Sequence, residues 1–397
     1  MGQEIMTDKK KKHKRYIRRI VGIVTLAAVL FVVLGTMDKY VLMKNDNVTR
    51  RVNGFYLEDK DSLDFVVLGA SEVAQGFAPA EAYIRHGLTS YSFTVDGNPM
   101  SLYKYELKEI LNRQKPQALV VEVNGALYGD GYLHRPGPIR MVTDSMKDFG
   151  NKRELINDLC RDDKLSHYIP LVKYHSRWPR LFNGSTGWKE LVAQEERGYT
   201  LFRGFLQYAN EKDKSEWKPV LYDAMDDDTS QDIEKDCERC LREFLDECRE
   251  SGIEHVLFVR FPHRLSGPYG SGINRMANRV GEIVTEYGYD FINMNQKIDD
   301  IGFDMDADFR DAEHLNLSGA IKTTDYISDY LVEKYNINPV EQTEEQKEGW
   351  DNSAEYFRLL NDFWDKRPTK KGEKGWIKYY GDSIETVEAL DKFAKEK

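Results

Sequence analysis

The N-terminal part of the chain changes abruptly from basic to apolar. Residues 1–19 carry eight Lys/Arg against two acidic residues, and residues 20–37 carry no charge. These eighteen uncharged residues, extended by residues 40–43 after one Asp-Lys interruption, can span the roughly 30 Å apolar core of a bilayer. A cleaved signal peptide is the alternative, but its apolar region is usually ~7–15 residues long and ends in small residues at the cleavage site. The pattern therefore predicts an uncleaved transmembrane anchor over residues 20–43.

The charge on either side of this anchor predicts its orientation. Basic flanks remain in the cytoplasm by the positive-inside rule. Residues 1–19 are therefore expected to be cytoplasmic, and the about 350 residues after the anchor are expected to be extracytoplasmic. The predicted localisation is the plasma membrane, with a single pass.

From about residue 60 the pattern alternates between short β-rich apolar runs and longer amphipathic ones. Such alternation indicates a parallel sheet covered by helices. We predict an α/β fold, a three-layer α/β/α arrangement with a parallel five-stranded sheet. The strand candidates are Phe65–Leu68, Thr89–Val95, Ala118–Val123, His255–Phe261 and Phe291–Met294. The helix candidates are Pro79–His86, Ser101–Arg113, Ser230–Glu250, Asn274–Tyr287 and Ser318–Tyr335.

The rhythm breaks once, and the chain ends in a different composition. Residues 125–225 contain clustered Gly and Pro and irregular helical pieces, which predicts an insertion over the carboxyl edge of the sheet. The main domain is predicted over residues 44–338. Residues 339–397 form a highly charged C-terminal extension to which the sequence assigns no chemistry.

Composition narrows the possible functions. Hydrophobic residues make up 41% of the 397 residues, enough for a substantial core. Outside residues 1–19 the chain holds 49 basic and 65 acidic residues, a net charge of −16. Such an acidic body argues against a nucleic-acid partner. The four cysteines lack the second ligand pair of a zinc site, and neither a metal nor a dissociable cofactor is predicted.

The first candidate for chemistry is Ser71, which follows the first predicted strand. Side chains beyond the carboxyl ends of parallel strands face the usual ligand site of such sheets. A serine becomes a nucleophile only when a base takes its proton and a third group orients that base. Asp311 and His314, three residues apart, can present a carboxylate and an imidazole together on one turn. We therefore predict a triad of Ser71, His314 and Asp311.

An acyl-transfer site also needs donors for the developing oxyanion. The backbone N–H of Ser71 qualifies if a helix starts there, and Gly97 and Asn124 follow the second and third strands. We predict these three residues as the oxyanion site. Asn98, Arg140 and Arg310 are candidates for substrate binding, the arginines because a guanidinium matches phosphate or carboxylate. Arg177 and Arg260 are further arginine candidates, with a solvated or salt-bridged side chain as the alternative.

Each residue also has an ordinary structural interpretation. Ser71 can be a helix N-cap, Asp311 can cap a turn, and His314 can be a core histidine. The order of the three, each at a predicted strand end or its equivalent, favours the catalytic interpretation. The remaining loop histidines, His134, His175 and His263, are expected to be structural or solvent-facing.

These motifs resemble those of the SGNH (GDSL-like) hydrolase superfamily over roughly residues 60–335. The match consists of Ser71, Gly97, Asn124 and the run Asp-x-x-His-Leu-Asn-x-x-Gly that starts at Asp311. The usual Gly-Asp-Ser is Gly-Ala-Ser here, and the Gly-x-Asn-Asp block is reduced to Val-Asn-Gly. The resemblance implies a flavodoxin-like sheet. An α/β-hydrolase is the near rival, but Val73 stands where its nucleophile elbow has the second Gly.

Gly-Ala-Ser-Glu behind an N-terminal anchor looks most like the membrane-anchored branch, which includes the DltD-like proteins of teichoic-acid D-alanylation and the alginate O-acetylation proteins. This implies a serine esterase or O-acyltransferase that acts through an acyl-serine on an envelope glycan, a polyol-phosphate polymer or a secreted polysaccharide. A membrane-bound O-acyltransferase is an implied partner. Two alternatives remain: a non-catalytic assembly or polymer-binding module with the same fold, and a peptidase with the same triad.

Overall fold

The computed structural model describes residues 2–37, 47–169, 172, 201–207, 217–366 and 384–396. The distal end of the predicted anchor, much of the predicted insertion, including His175 and Arg177, and the middle of the C-terminal extension lie outside these residues. The N-terminal helix, Gly2–Met37, contains a segment, Lys12–Leu34, that is long and apolar enough to cross a membrane. Its large apolar side chains are exposed, Phe31 by 80%.

The chain divides into two compact units. One comprises Met1–Lys44 and Asp163–Gln194, and the other comprises Asn45–Asp162 and Glu195–Lys397. The second unit contains the sheet and every residue of the predicted triad and oxyanion site.

The sheet has five strands in the order β2-β1-β3-β4-β5, and all of them are parallel. The prediction of an α/β fold with a five-stranded parallel sheet is confirmed. The strands are β1 Phe65–Gly69, β2 Ser90–Thr94, β3 Ala118–Glu122, β4 His255–Arg260 and β5 Asp290–Asn293.

Helices separate the strands along the chain, as the sequence pattern predicts. Two of them start several residues from the predicted position, at Lys235 rather than Ser230 and at Gly267 rather than Asn274, and two others start one residue earlier than predicted. The α-helices after the N-terminal one are Asn47–Phe55, Ser71–Gly76, Pro79–His86, Met100–Arg113, Pro136–Ser145, Phe149–Leu159, Lys164–Tyr168, Tyr222–Met225, Lys235–Ser251, Gly267–Glu286, Ile298–Ile301, Leu317–Tyr335, Glu344–Lys366 and Ile384–Glu396.

The register of the sheet decides where the site forms. Gly69, the last residue of β1, is paired with Thr94, the last residue of β2, and Leu68 is level with Val121 of β3. The residues that follow these strands therefore emerge at one edge. Apolar side chains such as Phe65 and Val67, packed against the helix Leu317–Tyr335, make the sheet rigid below that edge.

Candidate active site

The turn that carries Asp311 and His314 is closed on itself. Phe309 and Leu315 form an isolated antiparallel bridge, and the N–H of Arg310 donates to the carbonyl of His314 at 2.9 Å. Within the turn, one Asp311 oxygen, Oδ1, accepts the backbone N–H groups of Glu313 and His314, both at 3.0 Å. These backbone hydrogen bonds fix the orientation of the Asp311 carboxylate toward the His314 imidazole.

The three residues of the predicted triad are in hydrogen-bond contact. Asp311 Oδ1 lies 2.9 Å from His314 Nδ1, and His314 Nε2 lies 2.9 Å from Ser71 Oγ. Asp311 is 5% exposed, whereas Ser71 is only half-buried. This is the arrangement in which an imidazole held by a carboxylate can take a proton from a hydroxyl.

The structure also explains the residues around Ser71. Ser71 is the first residue of the helix Ser71–Gly76, and the N-cap position belongs to Ala70, so Ser71 does not serve as the cap. Gly69 is required by close packing, because a Cβ there would lie 2.7 Å from the Cβ of Glu122 and 2.6 Å from Val73 Cγ2. The hydroxyl is thus left facing His314.

The rest of the Asp-x-x-His-Leu-Asn-x-x-Gly motif has structural roles. Leu315 is buried in a cluster with Phe309, and Asn316 caps the helix Leu317–Tyr335 by accepting the N–H of Gly319 at 3.2 Å. A Cβ on Gly319 would meet the carbonyl oxygen of Asp308 at 2.3 Å, so only glycine fits. The motif therefore combines two residues of the predicted triad, Asp311 and His314, with three residues, Leu315, Asn316 and Gly319, that connect the turn to the helix Leu317–Tyr335.

The electrostatics favour a protonated His314 more than in free histidine. Burial alone lowers the pKa of His314, but the hydrogen bond and charge of Asp311, together with the charge of Glu72, outweigh it and raise the pKa above its ordinary value. The charge of Arg310 acts in the opposite direction and lowers the pKa of His314. Arg310 Nη1 lies 3.7 Å from Asp311 Oδ2 and donates to Gln75 Oε1 at 2.9 Å.

A buried polar network lies behind the triad, and it joins two candidates from the sequence, Asn124 and Arg260, to residues that were not candidates. Asn124 donates from Nδ2 to Glu72 Oε1 and to the hydroxyl of Tyr128, and its Oδ1 accepts from Arg260 Nη1 at 2.7 Å. Arg260 is 1% exposed, and its Nη1 also lies 3.3 Å from His263 Nε2. Glu72, 4% exposed, also accepts from Ser71 Oγ at 3.3 Å. The network therefore reaches the Ser71 hydroxyl.

The protonation of this network follows from its contacts. Burial and the charge of Arg260 lower the pKa of His263; its Nδ1 faces the carbonyl of Phe261 at 2.9 Å, and its Nε2 faces Arg260. His263 is therefore neutral, and at 3.7 Å its contact with Glu72 is longer than a hydrogen bond. Burial raises the pKa of Glu72, but His263 and His314 in their charged forms lower it below its usual value. When His263 is neutral, the causes that still lower the pKa of Glu72 are the charge of His314 and the backbone N–H of Glu72 itself, and Asn124 also donates to the carboxylate.

A second carboxyl group of the network is uncharged. Burial, followed by the negative charge of Glu72, raises the pKa of Glu122 well above its ordinary value. Glu122 Oε1 accepts the N–H of Asn124 at 2.7 Å and lies 3.9 Å from Arg260 Nη1. The network therefore holds one carboxylate, Glu72, and one guanidinium, Arg260, which offset each other.

The predicted oxyanion donors lie near one another but differ in availability. The Ser71 N–H stands at a helix start, and Gly97 lies in the turn after β2 with φ +62°. Both amide hydrogens of Asn124 are engaged by Glu72 and Tyr128 in this state. The assignment of Ser71, Gly97 and Asn124 as oxyanion donors stays a prediction, and for Asn124 it requires a change of partner.

The predicted substrate-binding residues lie in three different settings. Asn98 is fully buried, and its Nδ2 donates to the Gly69 carbonyl at 3.2 Å and to Glu106 Oε2 at 2.8 Å, so it supports the strand end. Arg140 lies on the helix Pro136–Ser145. Arg310 lies 3.7 Å from the triad residue Asp311. Their roles toward substrate stay predictions.

A cleft of about 150 Å³ adjoins the triad. Ala312 and Glu313, which lie between Asp311 and His314 in the chain, form part of its wall. The other lining residues combine buried polar groups, two tyrosines and aliphatic side chains: Asn124, Leu127, Tyr128, Arg260, His263, Arg264, Leu265, Ser266, Tyr269, Gly270 and Ile273. Arg260, an arginine candidate from the sequence, and His263, expected to be structural or solvent-facing, both line this cleft.

The cysteines show no sign of reactive chemistry. Cys160, Cys237, Cys240 and Cys248 are all buried, and each carries a thiol rather than a disulfide. Burial is the main cause that raises the pKa of Cys237 to about 12 and of Cys240 to about 11, so their thiols are protonated. Among the described residues, no group of three or more His, Cys, Asp or Glu is arranged to hold a metal ion.

Comparison with known proteins supplies no family for this chain. No protein-family model matches it, and a search of curated proteins found no match. We therefore infer a function from the geometry of Ser71, His314 and Asp311 and from the motif resemblance.

Proposed function

We propose that this protein is a serine esterase or O-acyltransferase of the SGNH type, with a three-layer α/β/α domain held outside the plasma membrane by its N-terminal helix. The observation that carries the proposal is the continuous contact from Asp311 through His314 to Ser71, with 2.9 Å at each step. The long helix with exposed apolar side chains supports the anchor. The basic residues before it support a cytoplasmic N-terminus.

The proposed reaction proceeds in two halves. His314 Nε2 takes the hydroxyl proton as Ser71 Oγ attacks the carbonyl carbon of an acyl ester, and the resulting imidazolium protonates the departing alcohol. An acyl-Ser71 ester remains. His314 then takes a proton from water or from an acceptor hydroxyl, whose oxygen attacks the acyl carbon, and the proton returns to Ser71. Asp311 holds the imidazole orientation in both halves.

The size of the cleft supports a small acyl group. A space of about 150 Å³ matches a cavity that holds a molecule as large as benzene. The proposed substrates are acyl esters on an envelope glycan, a polyol-phosphate polymer or a secreted polysaccharide, because an anchored extracytoplasmic domain meets such polymers. A membrane-bound O-acyltransferase is the proposed partner.

A non-catalytic assembly or polymer-binding module is the second candidate. It is favoured by the engagement of both Asn124 amide hydrogens with Glu72 and Tyr128, which leaves this predicted oxyanion donor occupied. A module of this kind would keep the fold and the cleft without turnover.

Covalent labelling separates the two candidates. The full chain in detergent is incubated with a fluorescent fluorophosphonate, beside Ser71→Ala and a matched control, Ser62→Ala, whose hydroxyl contacts only the carbonyl of Asp59 in a surface loop. We expect labelling of the wild type and of Ser62→Ala, and at least a ~1000-fold loss for Ser71→Ala. Absent labelling, or equal labelling of Ser71→Ala, would exclude the catalytic proposal. Hydrolysis of p-nitrophenyl acetate without cleavage of casein distinguishes an esterase from the peptidase alternative.

A further inference from the structure

Glu72 occupies an unusual position for a carboxylate, directly beside the nucleophile. Its Oε2 lies 3.3 Å from Ser71 Oγ, on the hydroxyl that His314 Nε2 contacts at 2.9 Å. The side chain is 4% exposed and is held by the amide of Asn124. A carboxylate at the surface would be screened by water, whereas this charge acts at short range in a buried setting.

The hydroxyl of Ser71 has one hydrogen and two acceptors. When His314 is neutral, Ser71 donates to Nε2, which is the arrangement that attack on an ester requires. When His314 is protonated, Nε2 donates to Oγ, and the hydroxyl hydrogen turns to Glu72. The second arrangement is internally satisfied, since imidazolium, hydroxyl and carboxylate form a continuous chain of hydrogen bonds. In it, however, the base is already occupied and the serine is not activated.

We propose that Glu72 is a catalytic residue that competes with His314 for the hydroxyl hydrogen of Ser71, and thereby sets the pH above which the serine becomes a nucleophile. The inference rests on the proposed function and adds a fourth residue to its site. At low pH, Glu72 accepts the Ser71 hydroxyl hydrogen and the serine is not activated. At high pH, the neutral imidazole of His314 accepts this hydrogen instead.

The same contact links activation to the predicted oxyanion site. Asn124 Nδ2 donates to Glu72 while the carboxylate is in place. Once the Ser71 hydroxyl donates to His314, the Glu72 carboxylate loses one hydrogen-bond donor. The hydrogen bond from Asn124 then remains. An isosteric neutral side chain keeps the Asn124 contact through its carbonyl oxygen but removes the charge.

The other charged groups around Glu72 do not replace it. From the catalytic turn it faces His314, with Asp311 behind. From the segment at the end of β4 it faces Arg260 and neutral His263, and from β3 it faces protonated Glu122. Tyr103 and Tyr128 are neutral, because burial raises their pKa well above the ordinary value. Beside Asp311, Glu72 is therefore the carboxylate that supports the imidazolium form of His314.

The test measures the titration of His314 directly, so that it does not depend on turnover. Full-length protein in detergent, labelled with ¹³C at histidine Cε1, is titrated by NMR, and the His314 signal is identified by its loss in His314→Gln. In Glu72→Gln we expect the midpoint of this titration to fall by about one pH unit, the size of effect that a nearby opposite charge produces. The exposed Glu254→Gln, 82% exposed before the start of β4, is the matched control and should leave the midpoint unchanged.

The fluorophosphonate labelling rate, measured against pH, gives the second measurement. Its acid limb should move down with the His314 midpoint in Glu72→Gln. An unchanged midpoint, or an acid limb that does not follow it, would overturn the inference. Absence of labelling in the wild type at every pH would instead remove the proposed function, and with it the catalytic role of Glu72, whatever the NMR titration shows.

A second variant covers the case in which Glu72→Gln does not fold. Glu72→Asp keeps the charge but moves the carboxylate back by about 1.5 Å, one carbon–carbon bond. We expect the midpoint of the His314 titration to fall by less than in Glu72→Gln. The labelling rate should then fall less steeply than in the wild type as the pH is lowered. A midpoint equal to that of the wild type, in a folded Glu72→Asp protein, would contradict the competition between Glu72 and His314.

Discussion

Two Asp–His pairs in this molecule have nearly the same contact distance and very different surroundings. His314 Nδ1 lies 2.9 Å from Asp311, and His86 Nε2 lies 2.6 Å from Asp329. The second pair lies on the outer surface of two helices, with the side chains of His86 and Asp329 exposed by 25% and 33%. The side chains of His314 and Asp311 are exposed by 17% and 7%.

The difference lies in what else each partner contacts. Asp329 is shared with Arg85, whose Nε and Nη2 donate to it at 2.6 and 2.7 Å, and this hydrogen bonding is the largest cause that lowers the pKa of Asp329. Asp311 is oriented by the N–H groups of its own turn, and the free nitrogen of His314 meets Ser71. A short Asp–His distance therefore does not define a site. The defining feature is a nucleophile at the second nitrogen and a carboxylate committed to the first.

The largest difference between the two Asp–His pairs is expected when each aspartate is replaced by asparagine. Asp311→Asn should reduce ester hydrolysis by about 10⁴-fold, because the amide no longer holds the imidazole in the required tautomer. Asp329→Asn should change it less than twofold. The measurement is kcat/KM for p-nitrophenyl acetate in both variants. Equal losses in the two variants would mean that the Asp311 pair has no special role.

The pH profile sharpens the comparison at the triad. His314 must be neutral to act as a base, and its pKa is raised above the ordinary 6.5, so activity should be lost as the pH falls through that raised value. The wild-type acid limb of kcat/KM should therefore lie above pH 6.5 and should not move in His86→Gln. A limb at or below 6.5 would contradict the support that Asp311 and Glu72 lend to the imidazolium.

The same pKa has an opposite consequence for stability. A histidine whose folded pKa is raised adds stability that is complete below the unfolded value near 6.5 and is lost as the pH rises through the folded value. His314 therefore contributes least to stability in the pH range where it can act as a base.

The smallest expected effect concerns the surface pair. Asp329→Asn should lower the free energy of unfolding by at most about 1 kcal/mol, because exposed ion pairs contribute little after screening. Urea denaturation at neutral pH, with His86→Gln as a second probe of the same contact, measures it. A loss of several kcal/mol would show that this pair and Arg85 form a cooperative network between the two helices.

Much of the fold could be predicted from local patterns, and the deviations have physical causes. Short β-branched runs indicated all five strands. The helix Gly267–Glu286 begins seven residues earlier than predicted. The predicted start was late because the first residues of the helix, Gly-Pro-Tyr-Gly-Ser-Gly, have low helix propensity. Gly270 packs closely against Leu265, where a Cβ would lie 3.2 Å from the Leu265 backbone. Tertiary contact overrides propensity here.

The site was only partly predictable. Ser71, Asp311 and His314 could be singled out because their spacing and their places after strands have chemical meaning. Glu72 and His263 carried no such signal: Glu72 was one letter of Gly-Ala-Ser-Glu, and His263 was one of several loop histidines. Arg260 was one of several arginine candidates, and the sequence did not distinguish it from the others. A glutamate directly after a candidate nucleophile, in a helix start that must be buried, was the clue available for Glu72.

The sequence by itself determined the strand and helix order, the apolar N-terminal helix and the three residues with the composition of a triad, since each depends on residue type and short-range spacing. Tertiary structure alone decided that Ser71 and His314, 243 positions apart, meet, which of two Asp–His pairs faces a serine, and that Glu72 shares the Ser71 hydroxyl. The reason is physical. Parallel pairing in register brings the strand ends to one edge, and burial there strengthens interactions that water would otherwise screen.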